Sequence, residues 1–256
     1  MDESRPTAVL MIRLAFVLVA ALFARGAVAE PVTLIAADGV KVFGEVWRTR
    51  ASPAAVILAF HQASSSHAEY TPLAARLNAA GFTILAIDQR SGGSYFGEAN
   101  KTVAATGRSA SYDAALADLA AALNWSRSAA KGAPVLLWGS SYSAALVFVL
   151  AAQNPGVAAG VLAFSPGEYL AEGDAVRRAA RKVTVPVFIT QAADRREIEQ
   201  SRAIFNAVAS ADKVLFMPTT GGVHGSSTLR ADENPSGAEE NWRAVLQFLD
   251  RYRPGR

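Results

Sequence analysis

The stretch VLLWGSSYSAA, Val135 to Ala145, joins two patterns of different period. Val135 to Trp138 is an unbroken apolar run, as expected of a strand buried on both faces, and at Gly139 it gives way to small, helix-compatible residues. Such a junction is a strand-to-helix elbow. The residue at its apex sits on a strained turn that lifts its side chain above the sheet edge, where the first N–H groups of the helix also point. Here that residue is Ser141. Gly139, Ser140, Ser141, Tyr142 and Ser143 follow GxSxG except that serine takes the last small position. Small residues are needed there because the turn presses neighbouring backbone together.

Working outward, Ala55 to Phe60, Phe82 to Ile87, Gly160 to Phe164 and Val185 to Thr190 are further apolar runs of strand length, with Val214 to Met217 the last. Val32 to Ala36 and Lys41 to Trp47, separated by Ala37, Asp38 and Gly39, read as an edge hairpin. Helical spacing recurs between the strands, at Tyr70, Leu73, Ala74, Leu77 and Ala80, and at Tyr112, Ala115, Leu119, Leu123 and Trp125. Further helices are expected over Ala144 to Gln153, Glu197 to Ala209 and Ala238 to Tyr252, with a short segment at Asp174 to Lys182 and a loop from Ser94 to Ala110. Strands alternating with helices predict an α/β fold, a mostly parallel sheet of about eight strands with helices on both faces.

The N-terminus has a separate character. Arg13 precedes the apolar run Leu14 to Ala24, and Ala27, Val28 and Ala29 form an AxA cleavage site, the pattern of a signal peptide with Met1 or Met11 as its start. Residues 1–29 are thus expected to be a leader and residues 30–256 a single catalytic domain beginning at Glu30. Export to the periplasm or the medium follows, with no stable membrane association after cleavage. The chain has no cysteine, so no disulfide is needed in an oxidising compartment. Its net charge of +3 is scattered, without the basic stripe and interleaved aromatics of a nucleic-acid binder. No GxGxxG follows a strand and no GxxxxGK occurs, and neither HxH nor HExxH is present, so no cofactor or metal is expected.

A serine hydroxyl is a weak nucleophile and requires a base, which in turn requires a carboxylate to hold its tautomer. At an elbow of this kind the chain order is Ser, acid, His. Of His61, His67 and His224, only His224 lies beyond the last expected strand, within Gly221, Gly222, Val223, His224 and Gly225. The glycines permit the turn that lowers an imidazole onto the elbow. His61 is read as holding its loop and His67 as opening a solvated helix face. Tyr142 N–H, at the head of the helix, is one donor for a developing oxyanion.

Together these features resemble the α/β-hydrolase superfamily, in particular its dienelactone-hydrolase-related branch of small single-domain enzymes. The resemblance runs from about Val32 to the C-terminus. It implies that the acid lies in the loop after the Val185 to Thr190 strand, at Asp194, with Glu197 and Glu168 as rivals; Asp194 is also well placed simply to cap the next helix. It implies a second oxyanion amide from Gln62 or Ala63, where relatives carry an HG motif and this chain has His61 followed by Gln62. It implies a serine hydrolase acting on a small carboxylic ester through an acyl-enzyme. The twenty residues Ser165 to Thr184 leave room for a short helix in place of a lid domain. Dienelactone hydrolases proper use a cysteine, which this chain lacks. An amidase or peptidase with the same triad, or a binding protein that keeps the fold without activity, are the competing readings.

Overall fold

The computed structural model describes residues 28–253. The expected leader lies outside the described residues apart from Val28 and Ala29. An eight-stranded sheet has the order β1-β2-β4-β3-β5-β6-β7-β8. Its strands are β1 (Ala29–Ile35), β2 (Lys41–Trp47), β3 (Ala55–Phe60), β4 (Phe82–Ile87), β5 (Val135–Ser140), β6 (Gly160–Phe164), β7 (Val187–Thr190) and β8 (Lys213–Leu215). β1 and β2 form the antiparallel edge, and the strands from β4 to β8 in that order are parallel. Every residue of β3 to β7 is buried, which is why these runs read as continuously apolar in the sequence.

Side chains alternate across the sheet and divide the core into two layers. Val56, Leu58, Leu137, Val161 and Ile189 face α3 (Leu116–Ala129), α4 (Tyr142–Gln153), α5 (Ala175–Ala180) and α6 (Arg195–Ala207). Ile57, Trp138, Leu162 and Phe188 face α1 (Thr71–Ala79) and α7 (Ala238–Leu249). Trp138 stacks on Phe164 with centroids 4.6 Å apart, and Phe164 packs in turn on Phe188. Trp138 is therefore core, as its position on the strand predicts.

Register sets where the chemistry can lie. Phe60 pairs with Gly139, Ser140 with Phe164, and Phe164 with Thr190, so the C-terminal ends of β3, β5, β6 and β7 finish side by side. The loops leaving these four ends converge on one crest, the usual place for a ligand in a parallel sheet.

Some boundaries differ from expectation. The stretch from Ser94 to Ala110 is not all loop: α2 (Lys101–Thr106) forms there, capped by the Asn100 side chain on Val103 N–H and closed by Gly107 in the left-handed conformation. β1 starts at Ala29, three residues early, because Ala29 to Pro31 continue the ladder with Trp47 to Glu45. The last helix ends at Leu249 and tightens into a 3-10 turn over Asp250–Tyr252. Among the described residues no helix is long and apolar enough to cross a membrane.

Candidate active site

Ser141 lies between β5 and α4 with φ 59° and ψ −124°, a strained conformation for a non-glycine residue. Its own N–H donates to Phe164 O at 2.8 Å, and its carbonyl accepts Ala144 N–H at 2.8 Å, so the turn is held from both sides. A side chain at Gly139 would run into the backbone of Ser143 and Ala144. Ser143 makes use of its extra hydroxyl. It donates to His61 O at 2.6 Å and accepts from Gln89 Nε2 at 2.6 Å, tying the new helix to the loop after β3.

His224 sits at the C-terminal side of the crest, and its Nδ1 is 2.7 Å from Glu197 Oε1. The acid assignment expected at Asp194 is therefore corrected: the carboxylate against His224 is that of Glu197. Asp194 caps α6, accepting from Arg196 N–H at 2.9 Å and Glu197 N–H at 3.2 Å. Glu168 turns elsewhere, to Val176 N–H, Arg177 N–H and the Arg177 guanidinium. Helical side chains lean toward the N-terminus of their helix, so a glutamate in the first turn of α6 reaches back over the end of β7. The other oxygen of Glu197 accepts Ala192 N–H at 3.0 Å. Burial alone would raise its pKa; the bonds and charge of His224, with Ser165 and Ala192, outweigh it and hold the carboxylate below its usual range. For His224 burial pulls downward, and the Glu197 bond and charge lift the imidazole above its ordinary value.

Gln62 also needs correction as an oxyanion donor. Its N–H donates to Glu69 Oε2 at 2.7 Å and is not free to meet a substrate. Ala63 N–H and Tyr142 N–H have no partner among the described residues. The Tyr142 side chain points the other way, buried and stacked on Tyr112 at 4.3 Å, with its hydroxyl bonded by Gln89 and Ser91.

Ser141 and His224 line one cavity of about 500 Å³. Its other walls carry polar groups from Gln62, Ser64, Tyr95, Ser227 and Glu233, with only Ala63 and Val223 apolar. No hydrogen bond joins Ser141 to His224 here; in free enzymes such bonds commonly tighten only with substrate bound. Tyr70 does not reach the cavity: it is buried, and its hydroxyl donates to Phe60 O at 2.7 Å.

The two other histidines are structural, in different ways. His61 is buried, with Nδ1 2.7 Å from Gln62 O and Nε2 accepting Gln89 N–H at 3.0 Å; burial lowers its pKa to about 4 and keeps it neutral. His67 departs from the solvated face expected of it. It is buried, with Nδ1 2.8 Å from Asp88 Oδ1 and Nε2 facing the Glu98 and Glu45 carboxylates. Among the described residues no group of three or more His, Asp or Glu side chains is arranged to hold a metal ion.

A strained serine between a parallel strand and a helix, with a late histidine at the same crest, defines an α/β-hydrolase fold. Residues 51–172 match the family described as serine aminopeptidase, S33. An esterase of Pyrococcus furiosus superposes with a TM-score of 0.67 at 20% identity, covering 88% of this chain and 93% of that one. A cold-adapted esterase from an Arctic intertidal metagenomic library gives 0.65 at 21%, covering 88% and 93%. The dienelactone hydrolase of Anabaena variabilis gives 0.67 at 15%, covering 89% and 99%. No curated protein matches the sequence significantly. The chain has an α/β-hydrolase fold, and its residues 51–172, just under half of it, are similar to a hydrolase family.

Proposed function

We propose that this protein is an exported serine esterase that cleaves small polar carboxylic esters through a Ser141, His224, Glu197 triad. The observation that carries the reading is that Ser141, strained at the elbow, opens into the same cavity as His224, whose far nitrogen is held by Glu197. Ser141 Oγ attacks the ester carbonyl while His224 Nε2 takes its proton. Glu197 holds the proton on Nδ1 and stabilises the imidazolium that forms. The tetrahedral oxyanion is received by Ala63 N–H and Tyr142 N–H, the latter at the positive end of α4. His224 then returns the proton to the leaving alcohol. Water, deprotonated by His224, releases the acid from the acyl-enzyme in a second tetrahedral step.

Polar walls and a volume of about 500 Å³ favour short acyl chains. The test is hydrolysis of p-nitrophenyl esters of increasing acyl length, with Ser141→Ala alongside. Activity is expected to fall from acetate to octanoate and to vanish in the variant. Undiminished hydrolysis by folded Ser141→Ala would overturn the assignment. The match to a serine aminopeptidase family favours a second reading, cleavage of an amide by the same residues. Aminoacyl p-nitroanilides turned over faster than the esters would select it.

A further inference from the structure

Beneath the elbow lies a carboxylate that the mechanism above does not use. Glu69 ends a 3-10 turn, His67–Glu69, and is completely buried. A lone charge there would be costly, and a group kept in such a place is bonded on every side open to it. Its Oε2 accepts Gln62 N–H at 2.7 Å, and its Oε1 accepts the Ser140 hydroxyl at 2.6 Å. Ser140 Oγ in turn accepts Ser226 N–H at 2.8 Å.

These bonds join three loops. Gln62 belongs to the loop that supplies Ala63 N–H, Ser140 immediately precedes the nucleophile, and Ser226 lies two residues beyond the base. By holding Gln62 N–H beneath the site, Glu69 leaves the next amide, Ala63 N–H, as the one open to the cavity. The main chain of the turn is itself fixed, since Arg230 Nη1 donates to Ala68 O at 3.1 Å and Glu69 O at 3.3 Å.

We propose that Glu69 is a positioning residue for ester hydrolysis, a buried carboxylate that sets the oxyanion amide, the nucleophile turn and the histidine loop in register. This rests on the reading of the site as a serine esterase. Four ionisable groups face the carboxylate: Arg230 and His224, whose charges favour its ionised form, and the phenols of Tyr70 and Tyr142. Burial, the largest influence, raises its pKa to about 7 against these bonds and charges. Its negative charge also raises the basicity of His224.

The experiment compares the full chain with Glu69→Ala, Glu69→Gln and Ser141→Ala, measuring kcat and KM for p-nitrophenyl acetate across pH and checking folding by circular dichroism. Misplacing reacting groups by about 1 Å costs on the order of 10²-fold. Glu69→Ala is expected to lose about that much in kcat, with KM little changed. Glu69→Gln keeps an acceptor for Gln62 N–H and can donate to Ser140 Oγ, so it should restore most of the loss. It also removes a charge that raises the basicity of His224, so the acid limb of its kcat/KM profile should move to lower pH. Wild-type kcat in folded Glu69→Ala, or an unmoved acid limb in Glu69→Gln, would overturn the proposal. Should Glu69→Ala fail to fold, the limb of Glu69→Gln decides alone. Wild-type protein no more active than Ser141→Ala would instead defeat the esterase reading, and this role with it.

Discussion

His224 is pulled in two directions, and the balance sets the pH range in which the site can work. Burial disfavours the imidazolium, and Glu197 favours it more strongly, so the imidazole titrates above the ordinary value of 6.5. A base must be neutral to accept the Ser141 proton, so kcat/KM should rise with pH through a value above 6.5 and fall on the acid side. A limb midpoint below 6.5, measured with p-nitrophenyl acetate, would contradict the Glu197 pairing. Substitution separates the two neighbouring acids. Glu197→Gln leaves His224 without its carboxylate and should lower kcat by up to about 10⁴-fold, the cost of the same change in a serine protease triad. Asp194→Ala removes a helix cap and should cost about 1 kcal/mol of stability, with kcat near wild type. The reverse pattern would return the acid to Asp194. Both residues stand in one DRRE tetrad, and the capping role of Asp194 is readable from its place just before the expected helix. The reach of Glu197 back over β7 is not, because it depends on where the loop of His224 comes to rest. Glu69 left no signal of its own. A glutamate two residues after a histidine, ahead of a helical repeat, reads as solvent-facing until the sheet register draws Ser140 and Gln62 against it.

At the level of elements, the joint between β5 and α4 departs from the familiar motif at Ser143, and the departure is productive. A glycine would satisfy the close packing but would lose the bonds from Gln89 and to His61 O. Ser143→Gly is therefore expected to destabilise the protein by about 2 kcal/mol, from lost hydrogen bonds and an unpaired buried carbonyl. A more stable variant in urea unfolding would show the hydroxyl to be incidental. Gly225 illustrates the opposite constraint. It has φ 67°, and a side chain there would strike Ser140 Oγ and come within 2.9 Å of Gln62 Oε1, so the loop of His224 closes on the elbow only as glycine. The buried strands and the elbow were legible because apolar runs and small-residue spacing are local patterns. α2 leaves no helical period in the sequence because six residues are too few to establish one, although Asn100 and Gly107 mark its two ends.

The whole molecule gathers the candidate site at the C-terminal ends of its parallel strands, and the connection from β6 to β7 leaves one of those ends. The segment carries one six-residue helix, α5, which packs with α4 and α6 on the flank of the sheet. At the β1 side of the sheet, cleavage after Ala29 would remove from β1 only the Ala29↔Trp47 rung, leaving the hairpin from Glu30↔Val46 onward. If the expected leader is cleaved, sequencing of exported protein should return Glu30 as the first residue; any other N-terminus would contradict that cleavage site. The short Ser165 to Thr184 connection predicts no large mobile cover, and such an edge would have no closed state for a lipid interface to open, since a ligand can shift an equilibrium only between states it binds differently. Rates with a short-chain triglyceride such as tributyrin should therefore rise smoothly as its concentration passes the solubility limit. A sharp increase once emulsion appears would mean that a covering element moves aside at the interface, and the crest between β6 and β7 would then be where to seek it.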